Sequence, residues 1–280
     1  MPEPVLRLAH LTDIHLQPER GAAAALAQTL EGLQALDRVP DLVLNGGDAV
    51  MNTTVEDAKR VDAQWALWQK TWEHLNGIEA FHCLGNHDCQ SWAADDGVAL
   101  DHKRRALAEL GMPGRYYSFE RGGWRICVLD SCQPLDGGYT ARLDQEQWAW
   151  LQRSLAAAAG TPVLVLSHVP ILSVTGPVYD EHRLAGHHWQ IPGDWMHTDA
   201  YRLQALFQQY PNVRLCLSGH MHLRDRCEYN GVTYICDGAL CANWWNGDLA
   251  QCDEGYGLLD LYADGAFDYE YVSIGWKPRD

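Results

Sequence analysis

The first half of the chain alternates short apolar runs with longer amphipathic stretches, the pattern of strands alternating with helices. Strands are predicted at Val5–Leu11, Leu42–Leu44 and Ile78–Leu84. A helix is predicted at Gly21–Leu36, where an alanine-rich run has high helix propensity. A longer helix is predicted at Val55–Leu75, where apolar residues recur three or four positions apart.

The second half contains more strand pairs and fewer helices. A helix is predicted at Leu100–Leu110, and Tyr116–Glu120 with Trp124–Asp130 reads as a hairpin. Asp144–Ala159 is predicted as a helix that Asp144 caps, with Gln147 at the capping-box position. The remaining predictions are a helix at Asp199–Gln209 and strands at Pro162–Leu166, Val213–Leu217, Val232–Cys236, Gly257–Tyr262 and Phe267–Val272.

Residues 173–198 lack any periodicity and are rich in Gly, Pro and His, so they are predicted to form a long loop that covers the site. The chain contains no internal repeat and no clear linker, so residues 1–280 are interpreted as one domain. Helix–strand alternation followed by strand pairs predicts an α/β (α+β) sandwich, with two packed sheets and helices outside them.

Charge and composition narrow the range of partners. The formal net charge is −16, and no basic stripe is present to neutralise a nucleic-acid backbone, so long DNA or RNA is not expected to bind. No apolar run is long enough to cross a membrane, and the amino terminus has no signal-peptide pattern. A small phosphate ester stays compatible with such an acidic chain if metal ions neutralise the site locally.

The nine cysteines show no CxxC pair and no regular spacing. Cys83, Cys127, Cys216 and Cys236 lie within strand-like apolar runs, where cysteine behaves as a small hydrophobic residue. A reducing, cytoplasmic compartment is therefore expected. The sequence leaves the oligomeric state open, a homo-oligomer included.

Five segments share one arrangement, in which an apolar strand runs directly into a turn that carries metal-ligand side chains. They are Asp13-Ile14-His15, Gly47-Asp48, Gly85-Asn86-His87-Asp88, His168, and Gly219-His220-Met221-His222. Functional groups in open α/β sheets collect beyond the carboxyl ends of the strands, so these turns can converge on one crevice.

Each of these residues also has an ordinary structural interpretation. His15 could be a surface histidine, and Gly47-Asp48 could be a simple turn. His220 and His222 give a stronger indication, since two residues separated by one position point to the same side of an extended segment. The combination of all five segments in this order is far more specific than any one of them.

Together the five segments resemble the calcineurin-like metallophosphoesterase superfamily, over about residues 8–222. Their spacing is most similar to that of the compact bacterial cyclic-nucleotide and glycerophosphodiester phosphodiesterases. The resemblance implies a four-layer sandwich, in which two mixed β-sheets are flanked by helices.

The resemblance also implies a role for each residue. Seven residues would hold two metal ions: Asp13, His15 and His222 the first, Asn86, His168 and His220 the second, and Asp48 both. His87 would stabilise the phosphoryl oxygen and help to protonate the leaving group. Asp88 would hold the His87 ring. Imidazole together with carboxylate and amide oxygen suits Fe, Mn or Zn.

The implied reaction is hydrolysis of a small phosphodiester, of the cyclic-nucleotide or glycerophosphodiester type, by a hydroxide that bridges the two metals. A phosphomonoesterase or protein phosphatase on the same core is the alternative, and a non-catalytic binding module is a third hypothesis. No Gly-x-Ser-x-Gly elbow or Walker loop offers another nucleophile or phosphate site.

Substrate contacts are predicted in two further places. His182, His187 and His188 lie in the segment 173–198, and His188 is taken as the main candidate there. Asn243 and Trp244 follow the strand Val232–Cys236, and an aromatic side chain near a metal site can stack on a base.

Overall fold

The computed structural model describes residues 3–54, 56–92, 101–158, 160–179 and 184–278. The helices in these residues are α1 Ala22–Gln34, α2 Ala58–Trp72, α3 Asp101–Glu109, α4 Gln145–Ala157, α5 Thr175–Val178 and α6 Ala200–Phe207. The strands are β1 Leu6–Leu11, β2 Leu42–Asn45, β3 Glu79–His82, β4 Tyr117–Arg121, β5 Trp124–Val128, β6 Cys132–Leu135, β7 Gly138–Ala141, β8 Val163–Leu166, β9 Leu184–Ala185, β10 His188–Trp189, β11 Val213–Ser218, β12 Asp225–Tyr229, β13 Val232–Cys236, β14 Gly255–Leu261 and β15 Phe267–Ser273.

Two large mixed sheets dominate the fold. The first has the strand order β15-β14-β1-β2-β3, in which β1, β2 and β3 are parallel and β14 and β15 are antiparallel. The second has the order β12-β13-β11-β8-β5-β4, with four parallel central strands and an antiparallel strand at each edge. Both sheets therefore have parallel centres, whose carboxyl ends can carry a shared site.

The two sheets pack face to face over an apolar layer, which includes Leu8, Leu44, Ile126, Leu164 and Leu217. Helices α1 and α2 cover the outer face of the first sheet, and α4 and α6 cover the outer face of the second. Because the central strands are buried on both faces, their sequences are nearly continuous apolar runs. The predicted four-layer α/β sandwich is confirmed.

Local chemistry explains where two of the helices begin. The Asp144 side chain accepts a hydrogen bond from the Gln147 amide at 2.9 Å, as the capping pattern predicted. Asp57 caps α2 in the same way, by accepting from the Arg60 amide at 3.0 Å. Helix α2 ends at Trp72, after which Glu73–Leu75 forms a short 3₁₀ turn.

Residues 173–198, predicted to form a long loop, include short elements in the part that the structure describes. They contain the single turn α5 and the small hairpin of β9 and β10. The β6–β7 hairpin and strand β12 were also missed. Among the helices that the structure describes, none is both long and apolar enough to cross a membrane.

Candidate metal centre

The five predicted turns lie together at the carboxyl ends of the two parallel strand groups. Strands β1, β2 and β3 of the first sheet run into the turns that carry Asp13 and His15, Asp48, and Asn86. Strands β8 and β11 of the second sheet run into the turns of His168 and of His220 and His222. We call these side chains the ligand cluster, whose seven members are Asp13, His15, Asp48, Asn86, His168, His220 and His222.

One half of the ligand cluster consists of Asp13, His15 and His222. The His15 Nε2 atom lies 3.1 Å from His222 Nε2 and 4.0 Å from Asp13 Oδ1. The His222 Nε2 atom is 3.4 Å from Asp13 Oδ1. Three atoms that could each bind a metal ion, one from each residue, therefore face one point.

The other half consists of Asn86, His168 and His220. The His168 Nε2 atom lies 3.0 Å from Asn86 Oδ1 and 3.3 Å from His220 Nδ1. Asp48 joins the halves, because its Oδ2 atom is 3.5 Å from His15 Nε2 and 3.4 Å from His168 Nε2. A single carboxylate oxygen therefore stands between two sets of donors.

These contacts fit cations better than they fit direct hydrogen bonds. The Asp13 Oδ1 atom is buried and has no hydrogen-bond partner, which costs free energy unless a cation binds it. Ligands bound about 2.1 Å from one ion lie about 3.0–3.4 Å apart in octahedral or tetrahedral geometry. The donor–donor distances in the ligand cluster, from 3.0 to 4.0 Å, span and slightly exceed this range.

Backbone carbonyls orient two of the histidine rings. The His222 Nδ1 atom lies 2.6 Å from the Ala242 carbonyl, and His168 Nδ1 lies 2.9 Å from the Gly46 carbonyl. When Nδ1–H donates to a carbonyl, the Nε2 lone pair is left to face a cation. This is the arrangement of most metal-binding histidines.

Five of the seven members have left-handed backbone conformations, with φ between 45° and 70°: Asp13, His15, Asp48, His220 and His222. This region is costly for residues other than glycine. Strained backbone of this kind concentrates at functional sites. The fold thus holds these side chains in conformations that their own propensities disfavour.

The electrostatics of the ligand cluster are strongly coupled. Burial alone would lower the pKa of His168, but the nearby Asp48 carboxylate raises it to about 9. Burial lowers the pKa of His15 and of His220 to about 3. Although burial opposes ionisation of Asp48, the positive charge of His168 holds the pKa of Asp48 well below its usual range. Without a bound cation, the Asp48 carboxylate therefore holds a proton on His168, whereas burial keeps His15 and His220 neutral.

Asp88 does not hold the His87 ring, and this part of the prediction is wrong. The His87 Nδ1 atom lies 2.7 Å from the Met51 carbonyl. The buried Asp88 carboxylate instead accepts from the backbone amides of Gly85, Asp48 and Ala49, each at 2.9 Å. Burial also raises the pKa of Asp88 to about 6. Asp88 is a positioning residue that ties two ligand-bearing turns together.

His87 itself stands at the rim of the ligand cluster and is half-buried. Its backbone amide donates to Asp48 Oδ1 at 2.8 Å, and its ring centroid is 4.7 Å from that of His15. A ring nitrogen of His87 lies within 4.8 Å of donor atoms of His15 and Asp48. It can therefore reach a molecule bound at the ligand cluster.

The predicted substrate contacts divide into two groups. The Trp244 ring centroid lies 4.6 Å from that of His222 and 6.2 Å from that of His15, and the side chain is 36% exposed. Asn243 lies beside it and is half-buried. His188 is exposed on the β9–β10 hairpin, and within the described residues no hydrogen bond, ion pair or ring contact joins it to the ligand cluster. His187 is exposed nearby, and His182 lies outside the described residues.

Sequence reasoning missed two side chains beside the ligand cluster. The Tyr139 ring centroid is 6.2 Å from that of His220, and burial raises the pKa of its phenol. The Cys241 Sγ atom is 4.0 Å from His222 Nδ1. Asp136-Gly137 could have revealed the hairpin that carries Tyr139, because Asp-Gly between apolar residues is a strong hairpin signal.

Replacing Gly219 with alanine is expected to destabilise the fold by about 1–3 kcal/mol, the usual cost of overpacking, and to reduce metal binding. A Cβ atom at Gly219 would lie 2.0 Å from Thr12 Oγ1 and 2.1 Å from Asp13 Oδ2. Asp13 would have to move to accept it. Thermal denaturation and metal analysis measure both effects. In the control Gly32→Ala, a Cβ atom meets nothing within 4 Å, so the expected change is neutral or stabilising. A Gly219→Ala protein with unchanged stability and metal content would contradict the described packing.

Comparison with known proteins agrees with this geometry. The sequence profile of the Calcineurin-like phosphoesterase family matches residues 6–224. The chain belongs to this family. The predicted family is therefore confirmed, and the matched segment contains all seven members of the ligand cluster.

Individual relatives lie in the branch that the sequence predicted. A 3′,5′-cyclic-nucleotide phosphodiesterase of Nostoc sp. is 27% identical over 275 residues, which cover 94% of this chain and 90% of that protein. The 3′,5′-cyclic adenosine monophosphate phosphodiesterase CpdA of Escherichia coli is 26% identical, over 95% of this chain and 88% of its own. A dimetal phosphatase from Danio rerio shares the fold with a TM-score of 0.66 and 14% identity, over 97% of both chains.

Proposed function

We propose that this phosphoesterase hydrolyses a small phosphodiester of the cyclic-nucleotide type with the help of two bound divalent metal ions. The observation that carries the proposal is the division of the ligand cluster into two sets of donors that share the Asp48 Oδ2 atom. The similarity to named cyclic-nucleotide phosphodiesterases over nearly the whole chain supports the substrate class. We treat residues 1–280 as one catalytic unit.

The metal ligands in this proposal follow the two halves of the ligand cluster. Asp13, His15 and His222 hold one ion, and Asn86, His168 and His220 hold the other, while Asp48 contacts both. Four imidazoles, two carboxylates and an amide oxygen favour Fe, Mn or Zn over Ca. When bound, two such ions supply Lewis-acid neutralisation of the phosphate oxygens and lower the pKa of a water nucleophile.

The protein residues orient the reaction. His87 lies at the rim, where its ring, in the doubly protonated imidazolium form, can donate a hydrogen bond to a phosphoryl oxygen or a proton to the departing alkoxide. The Met51 carbonyl fixes the ring through Nδ1 at 2.7 Å, so Nε2 is the atom that remains for the substrate. Asp88 keeps the turns of Asp48 and Asn86 in register through its backbone contacts.

The charge around the ligand cluster favours a diester over a monoester. In the described part of the chain, no arginine or lysine hydrogen bonds to or ion pairs with its members or with His87 and Asp88. A dianionic monoester phosphate is usually gripped by such cations. A monoanionic diester needs less positive charge than a dianionic monoester does, and the two metal ions can provide that charge.

The cysteines support a cytoplasmic location as part of the proposal. All nine are free thiols, and eight of them are buried. Buried free thiols persist where the compartment is reducing.

The test of the proposed function is a comparison of substrates with purified, metal-analysed protein. We expect turnover of bis(p-nitrophenyl) phosphate and of a 3′,5′-cyclic nucleotide to exceed turnover of p-nitrophenyl phosphate, and removal of metal by a chelator to abolish both. Glycerophosphodiesters form a third arm. A preference for monoesters would overturn the diester assignment, and full activity after metal removal would overturn the metal assignment.

Metal uptake is expected to release protons and to weaken as the pH falls. The pKa of His168 is raised to about 9, so without metal its ring is protonated at pH 7, whereas coordination requires the neutral ring. Below pH 9 the apparent affinity should fall about tenfold per pH unit for each proton displaced. Titration calorimetry with Mn²⁺ in buffers of different ionisation enthalpy measures the released protons. Binding heats independent of buffer would contradict the prediction.

Trp244→Ala is expected to raise KM for a cyclic nucleotide by about 5- to 150-fold, since stacking on an aromatic side chain contributes about 1–3 kcal/mol per base. KM for a glycerophosphodiester without an aromatic ring should not change. Steady-state kinetics on both substrates give the comparison. Trp189→Ala is the matched control, because Trp189 is 59% exposed on the β9–β10 hairpin. Equal KM changes for the two substrates would show that Trp244 does not contact the base.

A further inference from the structure

A cavity separate from the ligand cluster lies between edge strands of the two sheets, β12 and β15. It has a volume of about 820 Å³, which is within the range of small-molecule sites. We call it the inter-sheet groove, and its lining includes Leu223, Arg224 and Arg226 beside β12, Tyr269 and Tyr271 on β15, and Val178 and Tyr179 at α5. No member of the ligand cluster lines it.

Two arginines form the polar wall of the groove. Arg224 lies over the Tyr271 ring, with its Cζ atom 4.3 Å from the centroid, and Arg226 lies 5.4 Å from the centroid of Phe267. Within the described residues neither forms an ion pair with a carboxylate. Seven other arginines of this acidic chain do: Arg7, Arg38, Arg60, Arg105, Arg115, Arg121 and Arg125. The two groove arginines, like five other arginines in the described part of the chain, are therefore not neutralised by a carboxylate, and the Arg224 Nη2 atom donates to the Gln251 carbonyl at 3.3 Å.

The acidic side chain in the lining of the groove, Asp225, already has hydrogen-bond partners of its own. Asp225 lies between the arginines in sequence, and its Oδ2 atom accepts from Ser173 Oγ, from the Val174 amide at 2.9 Å and from the Thr175 amide at 3.1 Å. Burial raises the pKa of this carboxyl. Asp225 thus links α5 to β12 by hydrogen bonds, and these bonds are made to α5 and not to the guanidinium groups.

The aromatic wall is rigid before any ligand arrives. Tyr269 and Tyr271 are two residues apart on β15, so they share one face of the strand. The Tyr271 hydroxyl donates to the Asp253 carbonyl at 2.8 Å, and the Tyr269 hydroxyl donates to Asp237. Opposite them, Val178 is 74% exposed and Tyr179 is 45% exposed. The groove thus offers apolar and planar surfaces beside two cations.

We propose that the inter-sheet groove binds a nucleoside monophosphate, with the phosphate on Arg224 and Arg226 and the base against the apolar surface of Val178 and Tyr179. Guanidinium groups bind phosphate oxygens through paired hydrogen bonds, and a base packs on apolar and aromatic surface. The volume of about 820 Å³ leaves room for a nucleoside beside the phosphate. The site is separate from the proposed metal centre and does not depend on the reaction proposed there.

The test is titration of the metal-loaded 280-residue chain with 5′-AMP, adenosine and inorganic phosphate. We expect the double variant Arg224→Glu/Arg226→Glu to weaken 5′-AMP binding by about tenfold or more, while hydrolysis of bis(p-nitrophenyl) phosphate is unchanged. Lys59→Glu/Arg153→Glu is the control: both residues are exposed and the net charge changes equally. It should leave 5′-AMP binding intact.

A second variant tests the apolar wall. Val178→Ser is expected to weaken 5′-AMP binding severalfold and to leave inorganic phosphate binding unchanged. The proposal is overturned if the double arginine variant binds 5′-AMP as tightly as the unaltered protein, because binding would then be confined to the metal centre. It is also overturned if adenosine alone or phosphate alone binds as tightly as 5′-AMP, or if the charge control weakens binding equally.

Discussion

Replacing Asp48 with asparagine is expected to remove metal from both halves of the ligand cluster and to lower phosphodiester hydrolysis by about a thousandfold or more. The Asp48 Oδ2 atom is the only donor atom that the described geometry places within 3.5 Å of a histidine from each half. Metal ions contribute several kcal/mol to stabilisation of a phosphoryl transition state, and each 1.36 kcal/mol is about tenfold in rate. Metal content per chain and kcat on bis(p-nitrophenyl) phosphate are the measurements.

Asparagine is the informative substitution because it keeps the shape of the side chain and tolerates the left-handed backbone at this position, where φ is 54°. Asp136→Asn is the matched control, since Asp136 is also an aspartate with left-handed backbone, φ 50°, but is exposed at the tip of the β6–β7 hairpin. The control should keep full metal content and activity. An Asp48→Asn protein that retains both metals and wild-type turnover would rule out the shared-carboxylate assignment.

Replacing His87 with alanine is expected to leave metal content unchanged and to lower kcat by about 10²–10⁴, the usual contribution of a positioned acid or base. The loss should be smaller for bis(p-nitrophenyl) phosphate than for a cyclic nucleotide. An acidic phenol departs without a proton, whereas a sugar alkoxide needs one. Comparing kcat for both substrates separates proton donation from simple binding.

The ligand cluster should survive this change, because the contact from residue 87 to Asp48 Oδ1 is made by the backbone amide. His87→Gln should restore part of any loss that comes from hydrogen bonding to the phosphoryl oxygen. His74→Ala is the control, since His74 is an exposed histidine whose ring pairs with Glu31 at 2.7 Å. Equal losses of kcat on the two substrates would show that His87 does not protonate the leaving group.

Much of the fold could be predicted because the central strands are buried on both faces. Strands such as β8 and β11 carry unbroken apolar runs that periodicity detects readily. Strand β12 was missed because it is an edge strand with alternating exposure and charged residues. The turn Asn230-Gly231 that joins it to β13 was a usable signal.

The ligand cluster could be predicted as a set because every member follows a strand end. The hydrogen-bond partners of Asp88 could not be predicted, because the Asp88 carboxylate accepts from backbone amides of a turn far away in sequence. Every residue except proline has a backbone amide, so the sequence does not mark which amides take part. The short elements within the segment 173–198 could not be predicted for a similar reason. Its α5 turn is held by Asp225 from another element, so its order comes from a tertiary contact that local periodicity does not show.

Anomalous scattering from crystals of the 280-residue chain grown with manganese tests the central claim most directly. We expect two anomalous peaks per chain, one among Asp13, His15 and His222, the other among Asn86, His168 and His220, with the Asp48 carboxylate in contact with both. A single peak bound by one half only, or two peaks with no contact to Asp48, would contradict the account.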